Sequence, residues 1–210
     1  MSDTSIQLGC AHLGRVRHVC AFFNDDEEAY RVLLPFITDG FDCGDKAIHI
    51  MSQAREAAHL ERLAETGIEI QAAQASGQLY LRRNSDTYFS DGQFDPDRML
   101  AWFEAMATDT HGYRRCRIVC DMDWATERPL TLDDVIGFEA RVNDLWSQRE
   151  DVVICIYDVK KLSGDMVIDI MRTHPMVLIG EVLQQNPFFV PPERFLDERL
   201  GRRSNAATPQ

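Results

Sequence analysis

Histidine and cysteine side chains occur at spacings that could bind a metal ion, and strand geometry limits which of them can do so. If residues 116–122 form a strand, Cys116 and Cys120 lie about 13 Å apart at ~3.3 Å per residue, too far to share one zinc ion. His18 and Cys20 would point to one face of a strand about 6.6 Å apart and could join a third ligand. A hydrogen-bonded histidine beside an inert thiol is the preferred interpretation, so we predict no metal and no cofactor.

Carboxylates and aromatic side chains follow several apolar segments of the chain. Asp121 and Trp124 stand at or after the end of one segment, Tyr157 and Asp158 at the end of another, and His174 just before a third. In open α/β sheets, ligands bind beyond the carboxyl ends of the strands, so these side chains could line a small-molecule pocket. The alternative is that they cap loops and helices, and the sequence does not decide between the two.

The enzymatic alternative is acid–base chemistry by Asp121, Asp123 or Asp158, with His174 nearby. The sequence contains no Gly-x-Ser-x-Gly nucleophile motif, no Cys-x-x-Cys pair and no Gly-x-Gly-x-x-Gly dinucleotide motif. Because no nucleophile or cofactor motif accompanies the carboxylates, we predict that the protein is not an enzyme.

The charge of the chain argues against nucleic acid as a direct partner. Asp and Glu number 34 against 22 Lys and Arg, which gives a formal net charge of −12. Nucleic-acid binding depends on neutralising phosphates with basic side chains, so a basic partner protein or a small neutral or cationic ligand is favoured. There is no bilayer-length apolar run and no signal peptide, which predicts a cytoplasmic protein with reduced cysteines and no membrane contact.

The elements that must position these side chains alternate between short apolar segments and longer helical patterns. Predicted strands cover residues 16–23, 46–51, 116–122, 152–157 and 176–179, with shorter candidates at 68–70 and 79–81. Predicted helices lie near 25–40, 54–66, 96–110, 131–149 and 164–173. This alternation predicts a three-layer α/β fold, with a mostly parallel sheet and helices on both faces. We predict a single domain over residues 16–200, with polar tails at 1–15 and 201–210.

The turn after the first predicted strand is acidic and lacks the features of a phosphate-binding loop. It reads Phe23-Asn24-Asp25-Asp26-Glu27-Glu28, with no glycine and no Gly-Lys-Ser/Thr. Four carboxylates there would repel a nucleotide, whereas an Asp-x-x-Glu capping box explains the acidic run. The sequence therefore predicts that ATP does not bind at this turn.

A series of short motifs resembles the MEDS family, which comprises sensory domains of methanogens and of dichloromethane-responsive regulators. The similarity covers about residues 16–190, and its specificity comes from the order and spacing of motifs that are individually weak. The motifs are His18-Val-Cys-Ala-Phe-Phe, Leu34-Pro-Phe-Ile-Thr-Asp-Gly40, Gly44-Asp-Lys-Ala-Ile, Met122-Asp-Trp124, Phe138-Glu139, Cys155-Ile-Tyr-Asp158, Thr173-His-Pro175 and Asn186-Pro187.

The resemblance implies a RecA-like or KaiC-like domain without a P-loop that senses small hydrocarbon derivatives. It also implies candidate sensing positions, namely His18, Cys20, Glu139, Tyr157, Asp158 and His174. Only short tails flank the predicted domain, so the signal would pass to a separate signalling or regulatory protein.

Three classes of function remain open from the sequence. The leading hypothesis is a non-enzymatic sensory or regulatory domain in which a small ligand, or a redox or metal signal, changes the contact with a partner protein. The second is a ligand-free interaction module of a signalling or anti-sigma system, and the third is the carboxylate-dependent enzyme. The sequence leaves open whether copies of the chain form a homo-oligomer.

Overall fold

The computed structural model describes residues 6–89, 92–110, 112–126, 129–147 and 149–198. Its strands are β1 (Ile6–Leu8), β2 (Ala11–Leu13), β3 (His18–Phe23), β4 (Lys46–Met51), β5 (Leu79–Arg83), β6 (Cys116–Asp121), β7 (Val152–Asp158), β8 (Met176–Ile179) and β9 (Val182–Gln185). Its α-helices include α1 (Asp26–Asp42), α2 (Gln53–Glu65), α3 (Ile70–Ala75), α4 (Asn84–Thr87), α5 (Pro96–Thr108), α6 (Pro129–Trp146) and α7 (Gly164–Thr173). Residues 192–198 are also helical.

Seven strands form one sheet in the order β5-β4-β6-β7-β3-β8-β9. Every neighbouring pair is parallel except β8 and β9, which form an antiparallel edge. Parallel strands need crossover connections, which the helices between them provide. The carboxyl ends of β3, β4, β6 and β7 therefore meet at one edge of the sheet.

Side chains from both faces of the sheet enter hydrophobic cores. On one face, residues such as Val19 and Ala21 of β3 pack with α1, α2 and α3. On the other face, Cys20 and Phe22 pack with α5, α6 and α7. The central strands β3, β4 and β6 are buried at every position, as expected for a parallel sheet covered on both sides. The predicted three-layer fold is thereby confirmed.

Local capping signals set the helix starts as the sequence predicts. The Asp25 side chain accepts a hydrogen bond from the Glu28 amide at 2.9 Å, while Glu28 accepts from the Asn24 amide at 2.7 Å. Asp95 caps α5, with Pro96 at its first position. The first bond is that of a capping box, except that Glu28 accepts in return from Asn24 and not from the N-cap Asp25, and α5 has an N-cap followed by proline.

One sequence prediction about the elements is wrong, and one strand was missed. Residues 68–70 are not a strand, because Ile70 begins α3. Strand β9 was not predicted at all, since its Val182–Gln185 segment is mostly exposed and shows no apolar run. The short strand predicted at 79–81 is confirmed as part of β5.

The predicted N-terminal tail at 1–15 is also wrong over residues 6–13, which form the β1–β2 hairpin. Its buried Ile6, Leu8 and Leu13 join the core beside α1. Gly9 has φ +58°, and a Cβ there would lie 2.3 Å from the Glu181 carbonyl oxygen, so only glycine fits where the hairpin meets the β8–β9 turn. Three apolar side chains in an otherwise polar stretch are too weak a pattern to predict this docking. The predicted tail at 201–210 lies outside the described residues.

Among the described helices, none combines the length and apolar character that a membrane crossing requires.

Candidate functional site

The eight residues predicted for a site fall into two separate groups. Asp121, Trp124 and Asp158 line an open cleft at the carboxyl edge of the sheet. The other five lie in the core beneath α6 and α7, namely His18, Cys20, Glu139, Tyr157 and His174. The structure thus places His174 apart from the aspartates that the enzymatic alternative paired with it.

The cleft has a volume of about 870 Å³ and lies over the ends of β3, β4, β6 and β7. Six carboxylates line it, against three cations. Arg55 donates to Asp121 at 2.9 Å and also pairs with Asp26. The Lys161 ammonium lies 2.5 Å from Asp123. Because carboxylates outnumber cations and hold two of them, the cleft disfavours anionic ligands.

Two of the predicted aspartates both line the cleft and fix its backbone. Asp121 accepts from the Asp123 amide at 3.0 Å, and Asp158 accepts from the Lys160 amide at 2.9 Å. Burial raises the pKa of Asp121, although the neighbouring Arg55 opposes that shift. The two sequence interpretations, pocket lining and loop capping, therefore hold together for these residues.

Trp124 forms an aromatic wall of the cleft. Its ring lies 4.3 Å from the ring of Tyr88, 5.0 Å from Phe89 and 5.4 Å from Phe94, measured between centroids. Trp124 is 7% exposed, and its buried indole N–H has no hydrogen-bond partner among the described residues. An unpaired buried donor is costly, so an acceptor on a bound molecule would relieve it.

In the core, three residues of the second group join Cys155 in a compact set of potential ligand atoms, here called the buried cluster: His18, Glu139, Cys155 and His174. Each side chain offers one such atom, and the four atoms lie within 4.8 Å of one another. None of the four residues is more than 3% exposed. His18 begins β3, Cys155 lies in β7, Glu139 lies in α6, and His174 follows α7.

The two histidines of the buried cluster approach the same carboxylate oxygen. His18 Nε2 lies 3.2 Å and His174 Nε2 3.4 Å from Glu139 Oε2. The thiol of Cys155 lies 3.7 Å from His18 Nε2 and 3.7 Å from both carboxylate oxygens. The His174 contact has ion-pair distance without hydrogen-bond alignment, since Nε2 has no hydrogen-bond partner in the described chain.

In each histidine, the ring nitrogen that points away from Glu139 is Nδ1, and it lies beside an oxygen acceptor. His174 Nδ1 lies 2.8 Å from the Ile170 carbonyl oxygen, which can only accept, so Nδ1 carries the proton. His18 Nδ1 lies 3.0 Å from Asn143 Oδ1. The Asn143 amide nitrogen donates to backbone carbonyls, including that of Thr173 at 2.7 Å, which fixes Oδ1 as the acceptor. Both Nε2 atoms are therefore left for the centre of the cluster.

Burial and neighbouring groups set the ionisation of the buried cluster. Burial, followed by the charge of His174, lowers the pKa of His18 against the opposing effect of Glu139. Burial acts to raise the pKa of Glu139, but the interactions with His174 and His18 outweigh it and bring that pKa to about 2. A hydrogen bond with Cys120 and burial raise the pKa of Cys155. Glu139 is thus an anion in the core and needs a positive partner.

Two predicted site residues lie beside the buried cluster rather than in it. Cys20 shares the His18 face of β3, as period-two geometry predicts, but its thiol donates to the Met176 carbonyl at 3.6 Å. Burial raises the pKa of this thiol. Tyr157 packs against His174 with ring centroids 6.2 Å apart, and its hydroxyl has no partner among the described residues. The prediction that His18 lies near His174 is confirmed, with ring centroids 4.2 Å apart.

Sequence reasoning missed Cys155, Asn143 and Arg55 as site residues. Cys155 could have been found, because strand alternation places it on the same face as the predicted Tyr157. Asn143 lies one helical turn after Glu139, a spacing that places both on one face of α6. Arg55 carries no sequence signal, since its role depends on how α2 packs beside β6.

Comparison with solved structures gives the fold. A KaiC-like protein from Pyrococcus horikoshii matches with a TM-score of 0.56 at 13% identity, over 78% of this chain and 71% of that protein. The flagellar accessory protein FlaH from Methanocaldococcus jannaschii matches with a TM-score of 0.50 at 13% identity, over 86% of this chain and 84% of that one. The predicted RecA/KaiC-like architecture is confirmed.

Comparison of the sequence gives the relationship to regulators. The transcriptional repressor DcmR of Methylorubrum extorquens is 25% identical over 163 residues, which is 75% of this chain. The match spans 57% of the length of that repressor. The family described as the methanogen/methylotroph, DcmR sensory domain matches residues 17–175. The chain therefore belongs to the MEDS family of sensory domains.

Proposed function

We propose that this protein is a sensory domain of a regulatory system that binds a small neutral or cationic organic molecule in the cleft. The observation that carries the proposal is Trp124, an aromatic wall with an unpartnered N–H at the carboxyl edge of the sheet. An apolar wall with one donor suits a small, weakly polar ligand. The family resemblance to sensors of small hydrocarbon derivatives supports the same class.

The electrostatics of the cleft support this choice of ligand. Asp26, Asp121 and Asp123 hold Arg55 and Lys161, so these cations are not free to bind a phosphate or carboxylate. A neutral molecule would avoid repulsion by the surplus carboxylates, and a cation would be attracted by them.

The signal passes to a separate regulatory protein in this proposal. Ligand contact with Asp121, Asp123 or Asp158 would change the ion pairs that join the loop after β6 to α2 and to the loop after β7. A partner that touches these loops would then sense whether the cleft is filled. The likeness to a repressor supports a regulatory partner.

Calorimetric titration with dichloromethane, methanol and methylammonium chloride tests the proposal. At least one of these probes should bind, and Trp124→Phe should weaken that binding several-fold with the fold retained, as seen by circular dichroism. Trp102→Phe is the matched control, because Trp102 packs against Phe103 on α5 and does not line the cleft. The double variant Trp102→Phe/Trp146→Phe keeps Trp124 as its single tryptophan, and the probe should change its fluorescence. Binding by none of the probes, or unchanged affinity in Trp124→Phe, would contradict the proposal.

A further inference from the structure

We propose that His18, Glu139, Cys155 and His174 form a binding site for one divalent transition-metal ion of the zinc type. The site is separate from the cleft and does not depend on the identity of the cleft ligand. It joins β3, β7, α6 and the end of α7 through four buried side chains.

Four of the six distances between the ligand atoms lie close to those around a tetrahedral metal ion, and the other two are at most 4.8 Å. Metal–ligand bonds of about 2.0 to 2.3 Å place neighbouring ligand atoms about 3.3 to 3.6 Å apart in a tetrahedron. The observed separations are 3.2 Å and 3.4 Å from the two histidines to Glu139 Oε2, and 3.7 Å from Cys155 to His18. To close the site around an ion, the side chains would have to move together wherever these distances exceed the tetrahedral values.

The hydrogen bonds behind the histidines are those of metal ligands. A ligating histidine donates its other ring N–H to a carbonyl or a similar acceptor, which fixes the tautomer and the ring orientation. His18 has Asn143 Oδ1 in that position, and His174 has the Ile170 carbonyl. In the neutral histidines both Nε2 lone pairs face the Glu139 carboxylate, and these three acceptors repel one another unless a proton or a metal ion lies between them.

A divalent metal ion would also balance the charge of the cluster. Glu139 and a deprotonated Cys155 supply two negative charges, and the histidines bind as neutral imidazoles, so a dication makes the core site neutral. On binding, the sulfur–hydrogen bond of Cys155 breaks, its proton leaves to solvent, and a sulfur–metal bond forms. Mixed nitrogen, sulfur and oxygen ligands suit zinc and neighbouring borderline metals rather than magnesium or calcium.

Four protein ligands make a closed site, which is typical of structural or regulatory metals rather than of catalytic ones that keep a position open for water. Two of the ligands come from α6 and from the end of α7, which cover one face of the sheet. Metal binding would therefore fix these two helices to β3 and β7. Occupancy of the site would set how rigidly α6 and α7 are held against the sheet.

Metal analysis of the full chain, purified without chelator and without an attached histidine tag, is the first test. About one equivalent of zinc or a similar metal is expected per chain. Cobalt(II) is then added to protein from which metal has been removed. The expected spectrum has intense visible ligand-field bands and a near-ultraviolet thiolate-to-cobalt band.

The variants localise the metal. Cys155→Ser should remove the thiolate band, and Cys120→Ser, at the neighbouring buried cysteine of β6, should keep it. Glu139→Gln and His174→Gln should lose the metal, while His59→Gln, which alters a buried histidine outside the cluster, should keep it.

If the variants of the cluster fail to fold, the cobalt spectrum of the unaltered chain decides. Tetrahedral bands together with a thiolate band support the site. The proposal is overturned if the unaltered chain neither contains metal nor takes up cobalt, if bound cobalt shows no thiolate band, or if that band persists in Cys155→Ser.

Discussion

The buried cluster and the cleft collect ionisable side chains around the same sheet but under opposite conditions. In the cluster, no residue is more than 3% exposed, and fixed carbonyl or amide oxygens orient both histidines. In the cleft, the Lys161 side chain is 49% exposed, and carboxylates share mobile cations. The comparison teaches that burial leaves the side chains of the cluster few alternative partners, whereas the ion pairs of the cleft are open to solvent.

The largest difference between the two regions should appear in the free energy of unfolding. Glu139→Ala removes the common partner of two buried histidines, and loss of one member of a buried ionic set costs about 3 to 5 kcal/mol. Asp158→Ala removes a cap from a short turn at the cleft and should cost about 1 kcal/mol. Urea denaturation followed by circular dichroism measures the free energy of unfolding of both variants. Similar decreases in the two would contradict the difference between the buried cluster and the cleft.

A second pair of buried histidines, His49 and His59, sharpens the comparison because the hydrogen bonds within it involve no carboxylate. His49 Nδ1 lies 2.8 Å from His59 Nε2, and His59 Nδ1 lies 3.1 Å from the Tyr30 hydroxyl. Burial, followed by the charge of Arg55, lowers the pKa of His59 to about 4. Burial and the neighbouring His59 lower the pKa of His49 well below its usual range.

These lowered pKa values make stability depend on pH. Between about pH 6.5 and pH 4, the unfolded chain binds protons that the folded His59 does not, so stability falls as the pH falls through this window. The contribution of His59 is about 2 to 3 kcal/mol. His59→Gln should show a shallower decrease in urea stability from pH 7 to pH 4.5. If stability changed equally with pH in His59→Gln and in the unaltered chain, the lowered pKa of His59 would be contradicted.

Arg55 tests whether the cleft tolerates the loss of one ion pair. Arg55→Met leaves the Asp121 carboxylate, whose side chain is 6% exposed, without its strongest partner. A buried acceptor that loses its donor costs about 1 to 2 kcal/mol. Burial already raises the pKa of Asp121, and loss of Arg55 raises it further, so protonation at lower pH relieves the penalty. Thermal unfolding should show that Arg55→Met is less stable than the unaltered chain at pH 7 and that the difference is smaller at pH 5. An equal difference at both pH values would contradict this role of Arg55.

Much of the fold could be predicted because apolar runs and caps are local signals. The segment 46–51 shows little alternation between apolar and polar residues. In the structure, β4 has these bounds and is buried on both faces. Caps at Asp25 and Asp95 likewise depend on a few neighbouring residues. The β1–β2 hairpin was missed because its stability comes from docking beside the β8–β9 turn, which no local pattern encodes.

The candidate site could be predicted only in part for the same reason. Alternation along β3 places His18 and Cys20 on one face, but only the parallel register of β3 with β7 brings Cys155 beside His18. The division of the predicted residues into cluster and cleft depends on which side chains point beneath α6 and which stand at strand ends. Those positions follow from tertiary packing, not from spacing in the sequence.

The smallest expected effect concerns ATP, which should leave the melting temperature unchanged even with magnesium present. In a P-loop, backbone amides at a helix start and a lysine hold the phosphates. Here the side chain of Asp25 occupies the Glu28 amide at the start of α1, and Glu28 in turn binds the Asn24 amide. A phosphate at this turn would have to displace both carboxylates and approach their negative charge. Calorimetry should therefore detect no binding, and a micromolar affinity abolished by substitutions within residues 24–28 would show that the RecA-like fold has kept a nucleotide site after all.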